Sequence, residues 1–123
     1  VEIRVPLTGD AGSAYEKVDR RVGDWAVAAA GASIALAQGT IAAAGIAVTA
    51  VGAREVTCAE AEEVLLGQPP SDELFARAAR AAQEACEPVA DQRGSAEYKR
   101  HVVGVLTERT LRRAAERARA EQG

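Results

Sequence analysis

Trp25-Ala26-Val27-Ala28-Ala29-Ala30-Gly31-Ala32-Ser33-Ile34-Ala35-Leu36-Ala37-Gln38-Gly39-Thr40-Ile41-Ala42-Ala43-Ala44-Gly45-Ile46-Ala47-Val48-Thr49-Ala50-Val51 reads in two opposed ways, and the fold turns on the choice. Its alanines favour a helix by propensity. Against that, Gly31, Gly39 and Gly45 break the run, Ser33, Thr40 and Thr49 are poor in a helix interior, and the valines and isoleucines are β-branched. Gln38-Gly39-Thr40 makes a hairpin turn between two apolar runs of similar length. The segment therefore predicts a long antiparallel hairpin, with strands near residues 24–37 and 41–51. A three-residue turn would put Ile34 and Leu36 on one face with Ile46 and Val48, and a two-residue turn would separate them, because a slip of one residue exchanges the faces. The sequence leaves that register open. Alanine and glycine on both faces predict a sheet approached closely from either side, by the domain's own helices on one and a partner domain on the other.

Upstream, Val1 to Pro6 alternates apolar and charged residues, the period of a half-exposed strand at an edge or an end. Residues 8–13 read as a loop, and Tyr15 to Arg21 as either a short strand or a bent connection. Downstream, three helices are predicted. Thr57-Cys58-Ala59-Glu60 has capping-box spacing and Gly67 suits a left-handed stop, giving a helix near 58–66. Ser71 is the N-cap of a second, near 72–86, with Phe75, Ala78, Ala79, Ala82 and Cys86 on its buried stripe. Ser95 opens a third, running to about residue 118, with Tyr98, Val102, Val105 and Leu106 at helical spacing. Its end, Glu108 to Glu121, mixes five arginines with three glutamates and reads as a solvated face with ion pairs along the helix.

A chain of 123 residues predicts one domain with one core, spanning residues 1–123. Hydrophobic residues make up 48% but aromatics 3%, so small aliphatic side chains must fill the interior. A net charge of -3 opposes nucleic-acid binding, which draws its affinity from a basic surface. Cys58 and Cys86 have neither CxxC spacing nor a nearby histidine, which favours reduced cytoplasmic thiols over a disulfide or a zinc site. Gln38, Gly39 and Thr40 interrupt the apolar centre, so no membrane span is expected. The chain opens at Val1 in a segment that already resembles a strand, and it reads as a piece of something longer.

Catalytic signatures are missing: there is no GxGxxG or GxxxxGK phosphate cradle, no HExxH and no GxSxG elbow. His101, the sole histidine, sits beside arginines and reads as hydrogen-bonded or solvent-facing rather than as a general base. Tyr15 offers a flat ring suited to an aromatic cofactor, and Lys17 a cation suited to an anionic flavin or its pyrophosphate. The plainer reading has Tyr15 covering the hairpin and Lys17 in water, and composition alone favours it. Trp25 reads as a core anchor with Asp24 pairing to Arg20 or Arg21, and Asp91, Arg93 and Glu97 as an ion-pair network at a helix start.

Three ordered blocks carry a family resemblance over most of the chain. They are Ala14-Tyr15-Glu16-Lys17 with Arg20 and Gly23-Asp24-Trp25-Ala26; Ala61-Glu62 with Leu66-Gly67; and Asp91-Gln92-Arg93-Gly94-Ser95-Ala96-Glu97-Tyr98-Lys99-Arg100. Together they resemble the C-terminal domain of the FAD-binding medium subunit in the carbon monoxide dehydrogenase and xanthine dehydrogenase group of molybdenum hydroxylases. Lys99 stands where that family more often has arginine.

The resemblance implies an α+β fold, an antiparallel sheet with a long hairpin and about three helices on one face. It also implies that an FAD-binding domain, absent from this chain, precedes it, and that Tyr15 approaches the isoalloxazine of FAD with Lys17 as its neighbour. The implied partners are that domain, a large subunit with a molybdenum cofactor and a small subunit with 2Fe-2S clusters. Such a chain would help enclose FAD and dock subunits for electron transfer, without being catalytic by itself. The competing expectation is a stand-alone protein-interaction module of the same fold with no redox role.

Overall fold

The computed structural model describes residues 2, 11–19, 26–49, 56–91 and 94–122. Strand β1 (Ala11–Asp19) is followed by β2 (Ala26–Ala37), β3 (Thr40–Thr49) and the two-residue β4 (Val56–Thr57). They form one sheet in chain order, each neighbour antiparallel. The alanine-rich stretch is thus the predicted hairpin. β1 begins at Ala11, inside the expected loop, and runs as a strand to Asp19 with a register shift between Val18 and Asp19. The strand expected over Val1 to Pro6 falls outside the described residues, Glu2 apart.

The turn is one residue shorter than the sequence suggested. Ala37 pairs with Thr40, leaving Gln38 (φ 55°) and Gly39 (φ 80°) as a two-residue loop with both residues left-handed, the turn whose twist matches a hairpin. A loop of that length would separate the large apolar residues of the two strands. A bulge reverses this: Leu36 faces Ile41 and Ala35 faces Ala43, so Ala42 is an extra residue in β3. Beyond it Ile34 pairs with Ala44, Ala32 with Ile46 and Ala30 with Val48, and Ile34, Leu36, Ile46 and Val48 are all buried on one face.

Helices α1 (Ala59–Leu65), α2 (Asp72–Ala85) and α3 (Ala96–Gln122) cover that face. α3 lies across β1 and β2, α1 lies against β3, and α2 packs on both helices. Ser71 caps α2 by accepting from the Leu74 amide at 3.2 Å, and Ser95 caps α3 by accepting from Tyr98 at 3.0 Å, as predicted. The N-cap of α1 is Cys58, which makes no side-chain cap. Gly67 is left-handed (φ 77°) but does not end α1 directly, because Leu66 is already extended. It turns the chain back so that its amide donates to the Ile41 carbonyl, while the Ile41 amide donates to Gln68.

The second half of α3 departs most from expectation. Leu111, Ala114, Ala115 and Ala118 are fully buried, so this arginine-rich stretch is a core element with a charged outer side. Its arginines pair with other elements: Arg112 with Asp72 at 3.1 Å and Arg113 with Glu16 at 3.2 Å. Small residues let β1 and α3 meet closely; a Cβ on Gly12 would stand 2.2 Å from the Ala114 carbonyl oxygen. Cys58 and Cys86 are buried and form no disulfide, and burial pushes both thiols up, Cys58 to about 11. They therefore stay protonated and weakly nucleophilic near neutrality.

Candidate functional site

The alternation that sends Ala14, Ala32 and Ile46 into the core turns their neighbours the other way. Ser13, Tyr15 and Lys17 of β1 share the face turned from the helices with Gly31, Ser33 and Ala35 of β2 and Ala43, Gly45 and Ala47 of β3. Cross-strand rows run Ser13–Ser33–Gly45 and Tyr15–Gly31–Ala47. Tyr15 stands 61% exposed among glycines, alanines and serines.

The two glycines shape this surface. Gly31 faces Tyr15 directly, and a Cβ there would lie 3.8 Å from the tyrosine ring. Gly45 faces Ser33, whose hydroxyl would lie 2.9 Å from a Cβ added to Gly45. Gly45 thus leaves room for the Ser33 hydroxyl, while at Gly31 a methyl would meet the ring at ordinary contact distance. The rows border a shallow depression of about 680 Å³, to which Glu62 and Arg117 also contribute.

The structure places both sequence-predicted site residues on one strand and one face. Lys17 is exposed two residues along from Tyr15, opposite Ala29, a separation of roughly 6.5–7 Å along the strand. His101 is exposed, in line with its solvent-facing reading. Asp24, Trp25, Arg20 and Arg21 lie outside the described residues, as does Arg93. Of the residues expected in the helix-start network, Asp91 pairs with Lys99 at 2.9 Å and Glu97 is exposed. Lys99 is buried and also donates to the Val89 carbonyl at 2.6 Å, tying the 86–95 connection to α3.

Three polar contacts beside the site were not legible in the sequence. Glu62 accepts from the Ile46 amide at 2.9 Å, holding α1 to β3. Glu16, between Tyr15 and Lys17, turns inward to Arg113, and one of its oxygens is buried with no hydrogen-bond partner. Arg117 donates to the Ser13 carbonyl. A four-residue spacing of Arg113 and Arg117 was the available signal, since it sets both on one side of a helix. It points to a charged stripe but not to its partner strand.

Chemically, the face is a platform. Its described residues offer a flat, sterically undemanding surface, the Tyr15 ring, the Ser13 and Ser33 hydroxyls and the Lys17 ammonium group. Among the described residues no group of histidines, cysteines and carboxylates is arranged to hold a metal ion. No described helix is long and apolar enough to cross a membrane.

Comparison with known proteins bears on what such a platform meets. Residues 13–114 match the family model of the CO dehydrogenase flavoprotein C-terminal domain. The chain is 38% identical over 121 residues to the 6-hydroxypseudooxynicotine dehydrogenase complex subunit alpha of Paenarthrobacter nicotinovorans, covering 97% of this chain and 41% of that one. It is 38% identical over 120 residues to the carbon monoxide dehydrogenase medium chain of Afipia carboxidovorans, covering 98% and 40%. Among solved structures, the carbon monoxide dehydrogenase of Hydrogenophaga pseudoflava aligns with a TM-score of 0.87 at 37% identity, over 90% of this chain and 39% of that one. The chain thus spans about two-fifths of the length of the curated relatives it matches.

Proposed function

Because the chain belongs to the CO dehydrogenase flavoprotein C-terminal domain family, we propose that its open sheet face closes over FAD held by a preceding FAD-binding domain of the same subunit. On this reading residues 1–123 form a single domain of a medium subunit in a molybdenum hydroxylase. Its further partners are a large subunit with the molybdenum cofactor and a small subunit with 2Fe-2S clusters. The subunit passes electrons from those clusters to FAD, and this domain's share is enclosure and docking. Two buried cysteines that form no disulfide fit a cytoplasmic setting.

The observation that supports this most is Tyr15. A large aromatic ring, 61% exposed beside glycines, alanines and serines, presents a flat surface shaped to receive a planar group. Gly31, Ser33, Gly45 and Ala47 fit the flavin ring system because nothing bulky rises beside the tyrosine. Lys17 supplies a positive charge near the same edge. The fit stops there: among the described residues there is no glycine-rich loop opening a helix to hold a pyrophosphate, so tight binding falls to the preceding domain. Bound FAD supplies the electron-accepting chemistry. This chain's residues exclude water from one side and orient the ring.

Hydrogen exchange tests the placement. Adding the FAD-loaded preceding domain is expected to slow exchange in the β1 and hairpin segments around residues 13–17, 31–33 and 45–47. Protection confined to α2 and α3, with the sheet unchanged, would instead support an interaction module working through its helices.

A further inference from the structure

Among the described strands β1 lies at one end of the sheet, hydrogen-bonded to β2, and it carries the ring on which the proposed flavin contact rests. α3 holds it as well. Arg117 donates to the Ser13 carbonyl, two residues before Tyr15. Arg113, one turn earlier on the helix, pairs with Glu16 Oε1 at 3.2 Å, one residue after Tyr15. Just ahead of Ser13, Gly12 sits against the α3 backbone with no space even for a methyl group. Glu16 is only 20% exposed, and its second oxygen has no partner, so Arg113 is the described group that balances its charge.

We infer that Arg113 and Arg117 are positioning residues for Tyr15, a pair of guanidinium groups on the helix side that fix the strand presenting the ring on the opposite side. The inference rests on the reading that Tyr15 faces FAD. Charge-assisted contacts from a planar, pre-organised guanidinium fix geometry better than an ammonium or a neutral donor does. Without Arg113, the inward carboxylate of Glu16 is left in a partly buried site with neither oxygen paired, and the strand relaxes outward to hydrate it. That movement tilts Tyr15 although nothing touching the ring has changed.

The test uses the FAD-loaded flavoprotein subunit and compares Tyr15→Ala, Arg113→Ala, Arg113→Lys, Arg117→Ala, the double variant Tyr15→Ala/Arg113→Ala and the exposed control Arg109→Ala. The readouts are flavin fluorescence, FAD dissociation constant and thermal midpoint. Arg113→Ala is expected to raise fluorescence in the same direction as Tyr15→Ala and to weaken FAD binding by up to about tenfold. Arg117→Ala moves both readouts the same way, Arg113→Lys recovers part of the loss, and Arg109→Ala matches the parent. In the double variant the losses do not add, because the arginine acts through the ring. Additive losses, or a silent Arg113→Ala beside an effective Tyr15→Ala, would overturn the inference and leave the flavin reading standing. A silent Tyr15→Ala would overturn both.

Discussion

Gly12→Val is expected to cost this protein most of its stability. A side chain at that position runs into the backbone of α3: the added Cβ would stand 2.2 Å from the Ala114 carbonyl oxygen and 2.5 Å from the Ala118 amide nitrogen. Backbone atoms cannot swing aside, so β1 and α3 must separate. Overpacking typically costs about 1–3 kcal/mol and more where the main chain has to move, against a total of roughly 5–15 kcal/mol for an ordinary domain. Thermal unfolding followed by circular dichroism should show a midpoint lowered by at least about 5 °C. Gly31→Ala is the matched control on the open face, where the added methyl meets neighbours at an ordinary 3.8 Å. Equal midpoints for Gly12→Val and the parent would mean that β1 does not pack on α3 as described.

Leu111→Ala should be nearly as damaging, and for the opposite reason. Leu111 is fully buried in the stretch of α3 richest in arginine, and truncating such a side chain leaves a cavity costing about 2–5 kcal/mol. Arg109→Ala, two residues away on the exposed side, should stay within about 0.5 kcal/mol of the parent. Chemical denaturation separates them: the Leu111→Ala midpoint falls at unchanged slope, while the Arg109→Ala curve overlays the parent. Matching curves for both variants would return this end of α3 to the solvated helix that its charges suggest.

That helix also shows where sequence reading reaches its end. The hairpin was legible because three glycines and several β-branched residues outweigh alanine's helix propensity, and the caps Ser71 and Ser95 because capping is local chemistry. The register was not. It depends on a two-residue turn and a compensating bulge at Ala42, and either alone would have placed the wrong face inward. Likewise Leu111, Ala114, Ala115 and Ala118 look minor among five arginines, yet small size is what allows a helix to lie close on an alanine sheet.

For the site, the sequence supplied Tyr15 and Lys17 as residue types and the family motif supplied a reason to single them out. What it withheld was their surroundings. That Gly31 lies opposite Tyr15, that Glu16 turns to Arg113 and that Arg117 reaches Ser13 all depend on pairings distant in sequence, the last across 104 positions. Local pattern carries no information about such contacts.

The most direct measurement of the central claim is an FAD titration of the preceding flavin-binding domain, alone and joined to this chain, with Tyr15 intact and as Tyr15→Ala. The expected result is that the chain tightens FAD binding and quenches flavin fluorescence, and that Tyr15→Ala removes much of both effects while the fold persists. Identical binding and fluorescence with and without the chain would contradict the proposal that this sheet face closes over FAD.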